Sequence, residues 1–219
     1  MRFLYGITLG RNTEALTASV PHMKHPIRRA EVCARSELEA ILSAPSQLRD
    51  RAFLMTVYAC GLRISEATDL KTSDIDRARM QLRVRNGKGA KGRVLPLSKR
   101  LLKELVDYWR AQRQAKAGHD SPWLFLGARA GKPMSLGSAQ LIYNHAVEKS
   151  GVRRKGGIHV LRHSFATHLI ESGVELPAVQ RLMGHASLKT TALYLHVTEC
   201  RLAEVRSPLD LIDTSHLER

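Results

Sequence analysis

A tyrosine attacks only where its surroundings favour the phenolate, because the free phenol titrates near ~10. Tyr194 lies in GHASLKTTALYLHV, residues 184–197, on a segment that reads as a short helix following His185. It is either a core residue or the attacking group of an enzyme. Which of the two depends on whether the rest of the chain brings cations to it.

Three other stretches supply candidates. In GIHVLRHSFATHLI, His159 and Arg162 stand one helical turn apart, so they project the same way on an arc that includes His163. Leu161, Phe165 and Leu169 form an apolar stripe beside that arc. A histidine and an arginine so placed can both donate to phosphate oxygens, the arginine as a bidentate fork. The alternative is a solvated face whose arginine pairs with a carboxylate. Zinc on His159 and His163 is weakly supported, because the glutamate of an H-E-x-x-H pattern is absent. In GLRISE, Arg63 follows a glycine suited to closing a helix and Glu66 comes one turn later. Taken alone, that is a surface ion pair. NGKGAKGR carries Lys88 and Lys91 on a glycine-rich turn, and neither it nor GARAGKP has P-loop spacing. A lysine there can reach a phosphate or a leaving oxygen.

These residues need a frame. RSELEAIL begins the compact part of the chain, with Ser36 and Glu39 at capping-box spacing. LRDRAFLMTVYACG reads as a largely buried helix closed by Gly61, and LRISEATDL as a shorter one. Met80, Leu82 and Val84 alternate with Gln81, Arg83 and Arg85, which is strand period, and a second strand runs through Pro96, making a hairpin with a lysine-bearing tip. From Ser98 onward the chain reads as helices, with Gly151, Gly173 and Gly184 at their ends. The expected class is mainly α with a small antiparallel β-sheet or hairpin.

Composition limits the partners. Thirty-five Lys and Arg against 20 Asp and Glu give +15, which points to a polyanion, most often nucleic acid. A basic protein without that role, or a ribosome-associated one, is the alternative. No stretch reads as a basic amphipathic helix for a membrane surface, and the most apolar run, residues 52–62, is too short to span a bilayer. The N-terminus has no convincing signal-peptide core, and Cys33, Cys60 and Cys200 lack metal-ligand spacing, so a cytoplasmic protein with reduced thiols is expected. Cys60 and Tyr58 read as core residues.

Together and in this order, GLRISE, GKGAKGR, HVLRHSFATH and LMGHASLKTTALYLHV resemble the catalytic domain of the tyrosine recombinases, the phage integrase family. The resemblance implies a DNA breaking-rejoining fold over residues 32–200. It also implies a short N-terminal segment, 1–31, as linker or stub of a core-binding domain, and a tail, 201–219, that docks on a neighbouring protomer or packs on its own domain. By this resemblance Tyr194 attacks a phosphodiester and becomes joined to the 3′ end. Arg63 and Arg162 clamp the non-bridging oxygens, and Lys88 protonates the leaving 5′ oxygen, with Lys91 the alternative on the same turn. His159 assists proton transfer, His185 bonds the phosphate and Glu66 orients the site. No metal or other cofactor is implied, and no Asp/Glu cluster suited to Mg²⁺ is evident. The partners implied are double-stranded DNA and three further copies of the chain, a homo-tetramer on two duplexes. Two rival outcomes are nicking and relaxation without strand exchange, and a DNA-binding remnant that does not cut.

Overall fold

The structure, a computed structural model, describes residues 31–85, 92–114, 121–129, 131–153 and 156–184. The expectations for Lys88, Lys91, His185, Tyr194, Cys200 and the segments 1–30 and 201–219 lie outside these residues.

The helices are α1 (Arg35–Ser43), α2 (Leu48–Cys60), α3 (Ile64–Thr68), α4 (Lys99–Gln114), α5 (Leu136–Ser150), α6 (His159–Glu171) and α7 (Leu176–Met183). Between α3 and α4 lies one antiparallel sheet in the order β1 (Ile75–Asp76), β2 (Gln81–Val84), β3 (Arg93–Pro96). The fold is mainly helical with a small sheet, as expected.

Helix α2 is the centre. Ala52, Phe53, Leu54, Thr56, Val57 and Cys60 are all buried, so the helix is covered on most of its circumference, against α4 and α6. Phe53 meets the ring of Phe125 edge-on at 5.2 Å, and Tyr108 of α4 stacks on Phe125 at 5.7 Å. Burial pushes the Cys60 thiol up to about 12, so it behaves as a small apolar residue. Tyr58, expected in the core, packs against its edge. It is half-buried, and its hydroxyl pairs with His168 Nδ1 at 3.0 Å.

Three local expectations shift. Helix α1 starts two residues earlier than the Ser36/Glu39 pattern implies: Ala34 is its N-cap, and the Glu37 carboxylate accepts the Ala34 N–H at 2.8 Å. Alternation on β2 holds for the buried Leu82 and Val84, but Met80 has φ 52° and stands before the strand. A left-handed residue cannot continue a pleat, so the strand begins at Gln81. Helix α6 has no narrow apolar stripe either. Val160 to Arg162, Ser164 to His168 and Ile170 are buried, and Leu169, assigned to the stripe, is only half-buried.

The sheet register matters for the site. Val84 pairs with Arg93 and Leu82 with Leu95, so Arg93 shares a sheet face with the buried Leu95, while Val94 points outward. Helix α7 packs on both α6 and β3.

Candidate active site

The site begins where α2 ends. Gly61 closes that helix at φ 56°, and a Cβ there would lie 2.2 Å from Cδ1 of Phe165. Only glycine fits, by conformation and by space. Two residues on, Arg63 is the N-cap of α3, and its backbone N–H donates to Glu66 Oε2 at 2.9 Å. The carboxylate thus caps the orphan end of a very short helix.

Glu66 is only 6% exposed, and three guanidiniums meet on it. Arg63 Nη1 donates to Oε1 at 2.8 Å. Arg93, from β3, donates through Nη1 and Nη2 to the two oxygens, each at 2.8 Å, as a fork. Arg162 Nη1 lies 3.8 Å from Oε2. Burial alone would raise the Glu66 carboxyl. The Arg93 hydrogen bonds, the Arg63 N–H and the surrounding positive charge outweigh it and bring the group down to about 2. Glu66 is therefore ionised throughout the physiological range. The surface ion pair expected from GLRISE is in fact a buried hub.

The same arginines also hold the end of α7. Its last carbonyls have no partner within the helix. Arg93 Nε donates to Leu182 O at 2.8 Å, Arg162 Nη2 to Met183 O, and Arg63 Nη2 to Gly184 O at 3.1 Å. Three consecutive carbonyls thus receive three different cations at the negative end of a helix, where cations are favoured. Gly184 has φ 60°, and a Cβ on it would lie 3.0 Å from Arg93 Nη1. His185 follows directly in the chain.

Arg162 is buried and also donates to Gly61 O. The solvated-face alternative for this arginine is overturned: its guanidinium bridges the ends of α2 and α7 from inside. Arg63 is the more open of the two expected clamp residues, with its side chain 29% exposed against 9% for Arg162.

His159 opens α6 and is exposed, outside the hydrogen-bonded cluster among the described residues. Its ring meets that of His163 edge-on at 5.8 Å. Burial, with the nearby His159 and Arg162, pushes His163 below the usual histidine value, so it is neutral near pH 7. Among the described residues no group of three His, Cys, Asp or Glu side chains could hold a metal ion. Also among them, no helix is long and apolar enough to cross a membrane.

The structure thus brings together Arg63, Glu66 and Arg162 and adds Arg93, which the sequence reading did not single out. A signal for it was present. Strand alternation puts Arg93 on the inward face with Leu95, and an arginine on an inward face needs a carboxylate.

The model of the phage integrase family matches residues 31–201. The chain belongs to this family. It is a tyrosine-type site-specific recombinase by class, and it is similar to several proteins of that kind. It is 37% identical over 209 residues to tyrosine recombinase XerA of Pyrococcus horikoshii, covering 94% of this chain and 70% of the relative. With tyrosine recombinase XerC of Proteus mirabilis it shares 39% identity over 183 residues, 83% of this chain and 59% of the relative. The crystal structure of XerA recombinase superposes with a TM-score of 0.72 at 23% identity, over 94% of this chain and 81% of that one, which shows the common fold. XerH site-specific recombinase, bound to palindromic difH substrate in a post-cleavage complex, superposes at 0.70 with 28% identity, over 81% of this chain and 52% of that one.

Proposed function

We propose that the protein cuts and rejoins double-stranded DNA through a 3′-phosphotyrosyl intermediate on Tyr194, within a catalytic domain spanning residues 32–200. The observation that carries this reading is the charge of the buried cluster. Three guanidiniums share one carboxylate, which leaves the cluster itself two charges positive. A phosphodiester brings one negative charge. The transition state of its displacement concentrates more on the non-bridging oxygens, and preorganised arginines stabilise that form above the ground state.

In this reading Arg63, the more open guanidinium, and Arg162 receive the non-bridging oxygens. The Tyr194 oxygen forms a bond to phosphorus as the bond to the 5′ oxygen breaks. His159 assists in taking the phenol proton, and Lys88 on the hairpin delivers one to the departing oxygen. His185, next in the chain after the Gly184 that the arginines hold, bonds the phosphate. The phosphotyrosyl ester keeps the energy of the broken bond, so attack by a 5′-hydroxyl reseals DNA without ATP. The guanidiniums supply the charge stabilisation that a metal gives other phosphoryl-transfer sites. Full strand exchange uses four protomers on two duplexes.

Covalent trapping tests this. The protein is incubated in EDTA with a pool of duplexes nicked at varied positions, so that the short cleaved end diffuses away, and adducts are resolved on a denaturing gel. A protein–DNA band that is abolished by Tyr194→Phe is expected. DNA binding without any adduct would reject cleavage and favour a DNA-binding role alone.

A further inference from the structure

We infer that Arg93 is a positioning residue for strand cleavage, acting on the phosphate clamp through Glu66 and on the chain entering His185 through Leu182. The inference rests on the cleavage reading above. Arg93 is the first residue of β3, two positions beyond Lys91 and close after the lysine-bearing turn. It is thus the point where the hairpin is anchored to the rest of the site.

Its geometry uses every nitrogen of the guanidinium. Nη1 and Nη2 hold both oxygens of Glu66, and Nε holds the carbonyl of Leu182. Glu66 in turn holds Arg63 by a side-chain and a backbone bond. One rigid planar group therefore sets the distance between β3, the start of α3 and the end of α7. Its side chain is only 10% exposed. The wall on its far side is Gly184, where an added Cβ would meet Nη1, Cδ and Cζ at 3.0 to 3.3 Å. Any side chain at position 184 would therefore press on the guanidinium.

Lysine cannot reproduce this arrangement. Its ammonium is a point charge on a flexible stem, so it keeps the ion pair with Glu66 but not the fork and the third bond together. If Arg93 contributed only stability, Arg93→Lys would retain activity in proportion to the folded protein. If it positions the site, the rate falls while DNA affinity holds. Misplacing catalytic groups by about 1 Å can cost about 10²-fold in rate.

The experiment measures wild type, Arg93→Lys and Arg93→Met. Each is assayed for its thermal transition, its affinity for a trapping duplex, and its single-turnover rate of covalent adduct formation per folded molecule. The expected result is near-wild-type affinity with a cleavage rate down about tenfold or more for lysine and about 10²-fold for methionine. A lysine variant that cleaves at the wild-type rate per folded molecule overturns the inference. So does the failure of both variants to fold, which would assign Arg93 to stability alone. If wild type itself gives no adduct while binding DNA, the cleavage reading has failed, and the inference falls with it; an adduct from wild type separates the two questions.

Discussion

Two buried carboxylates in this molecule are built on one local plan. Glu66 and Asp74 each sit three residues after a backbone N–H that they accept, from Arg63 and from Lys71, at 2.9 Å in both cases. Glu66 caps α3 and Asp74 the single 3-10 turn Thr72–Asp74, and each takes an arginine from the hairpin: Arg93 from β3 for Glu66, and Arg85, just past β2, for Asp74. They are 6% and 3% exposed. The difference lies in what else arrives. Asp74 receives Arg85, whose side chain is 47% exposed and whose Nη2 turns to Ser73. Glu66 also receives Arg63 and Arg162, the latter from α6, and all three of its arginines go on to the end of α7. A local cap becomes a hub when elements distant in sequence converge on it. The capping motif alone does not distinguish the two.

The largest expected effect is at the hub. Glu66→Gln leaves buried guanidiniums without their counter-charge and should cost about 3–5 kcal/mol, read by chemical denaturation. Adduct formation per folded molecule should fall by about 10²-fold, since Arg63 and Arg93 lose their common anchor. A loss below about 1 kcal/mol, the range of exposed ion pairs, would break the comparison.

Acid should expose the same contribution. The Glu66 carboxyl is brought down to about 2 from an ordinary 4.5. A depressed carboxyl adds stability that is fully present above its unfolded value and is lost as pH falls through its folded one. The stability gap between wild type and Glu66→Gln should hold above pH 4.5 and narrow steadily towards pH 2. Denaturation curves at intervals across that window read it, and a constant gap would count against the hub.

Asp74→Asn should cost less, about 1–2 kcal/mol, because an amide oxygen can still accept the Lys71 N–H and the freed Arg85 is half in water. Its effect on cleavage should be smaller than that of Glu66→Gln, and equal losses would erase the distinction. The smallest difference is in salt response. Raising salt from about 0.1 M to about 1 M shortens the Debye length from about 10 to about 3 Å. The cost of Asp74→Asn should shrink over that range, while that of Glu66→Gln stays nearly constant, as the same denaturation series would show.

Much of this was legible in the residues. The described helices, the paired strands and the pairing of Arg63 with Glu66 follow from apolar period, closing glycines and motif spacing. What was not legible depended on partners far along the chain. Nothing around Glu66 says that it is buried, because its cover comes from β3, α6 and the end of α7. Arg93 carries a strand-face signal, but its carboxylate and carbonyl partners lie on α3 and α7, far along the chain. Strand β1, two residues long, is too short to show a period, and the left-handed Met80 is set by the turn into β2 rather than by its type. The Ser36/Glu39 pattern was a valid cap signature, but the helix starts earlier, at an Ala34 N-cap whose N–H the Glu37 carboxylate accepts and whose side chain caps nothing.

The three carbonyls of Leu182, Met183 and Gly184 behave as the pins of a plug, each entering a different socket. An α-helix turns about 100° per residue, so a single insertion or deletion within α7 would swing all three pins away together. The register within α7 is thus read in whole residues, because the groups that enter the sockets are backbone carbonyls and not side chains.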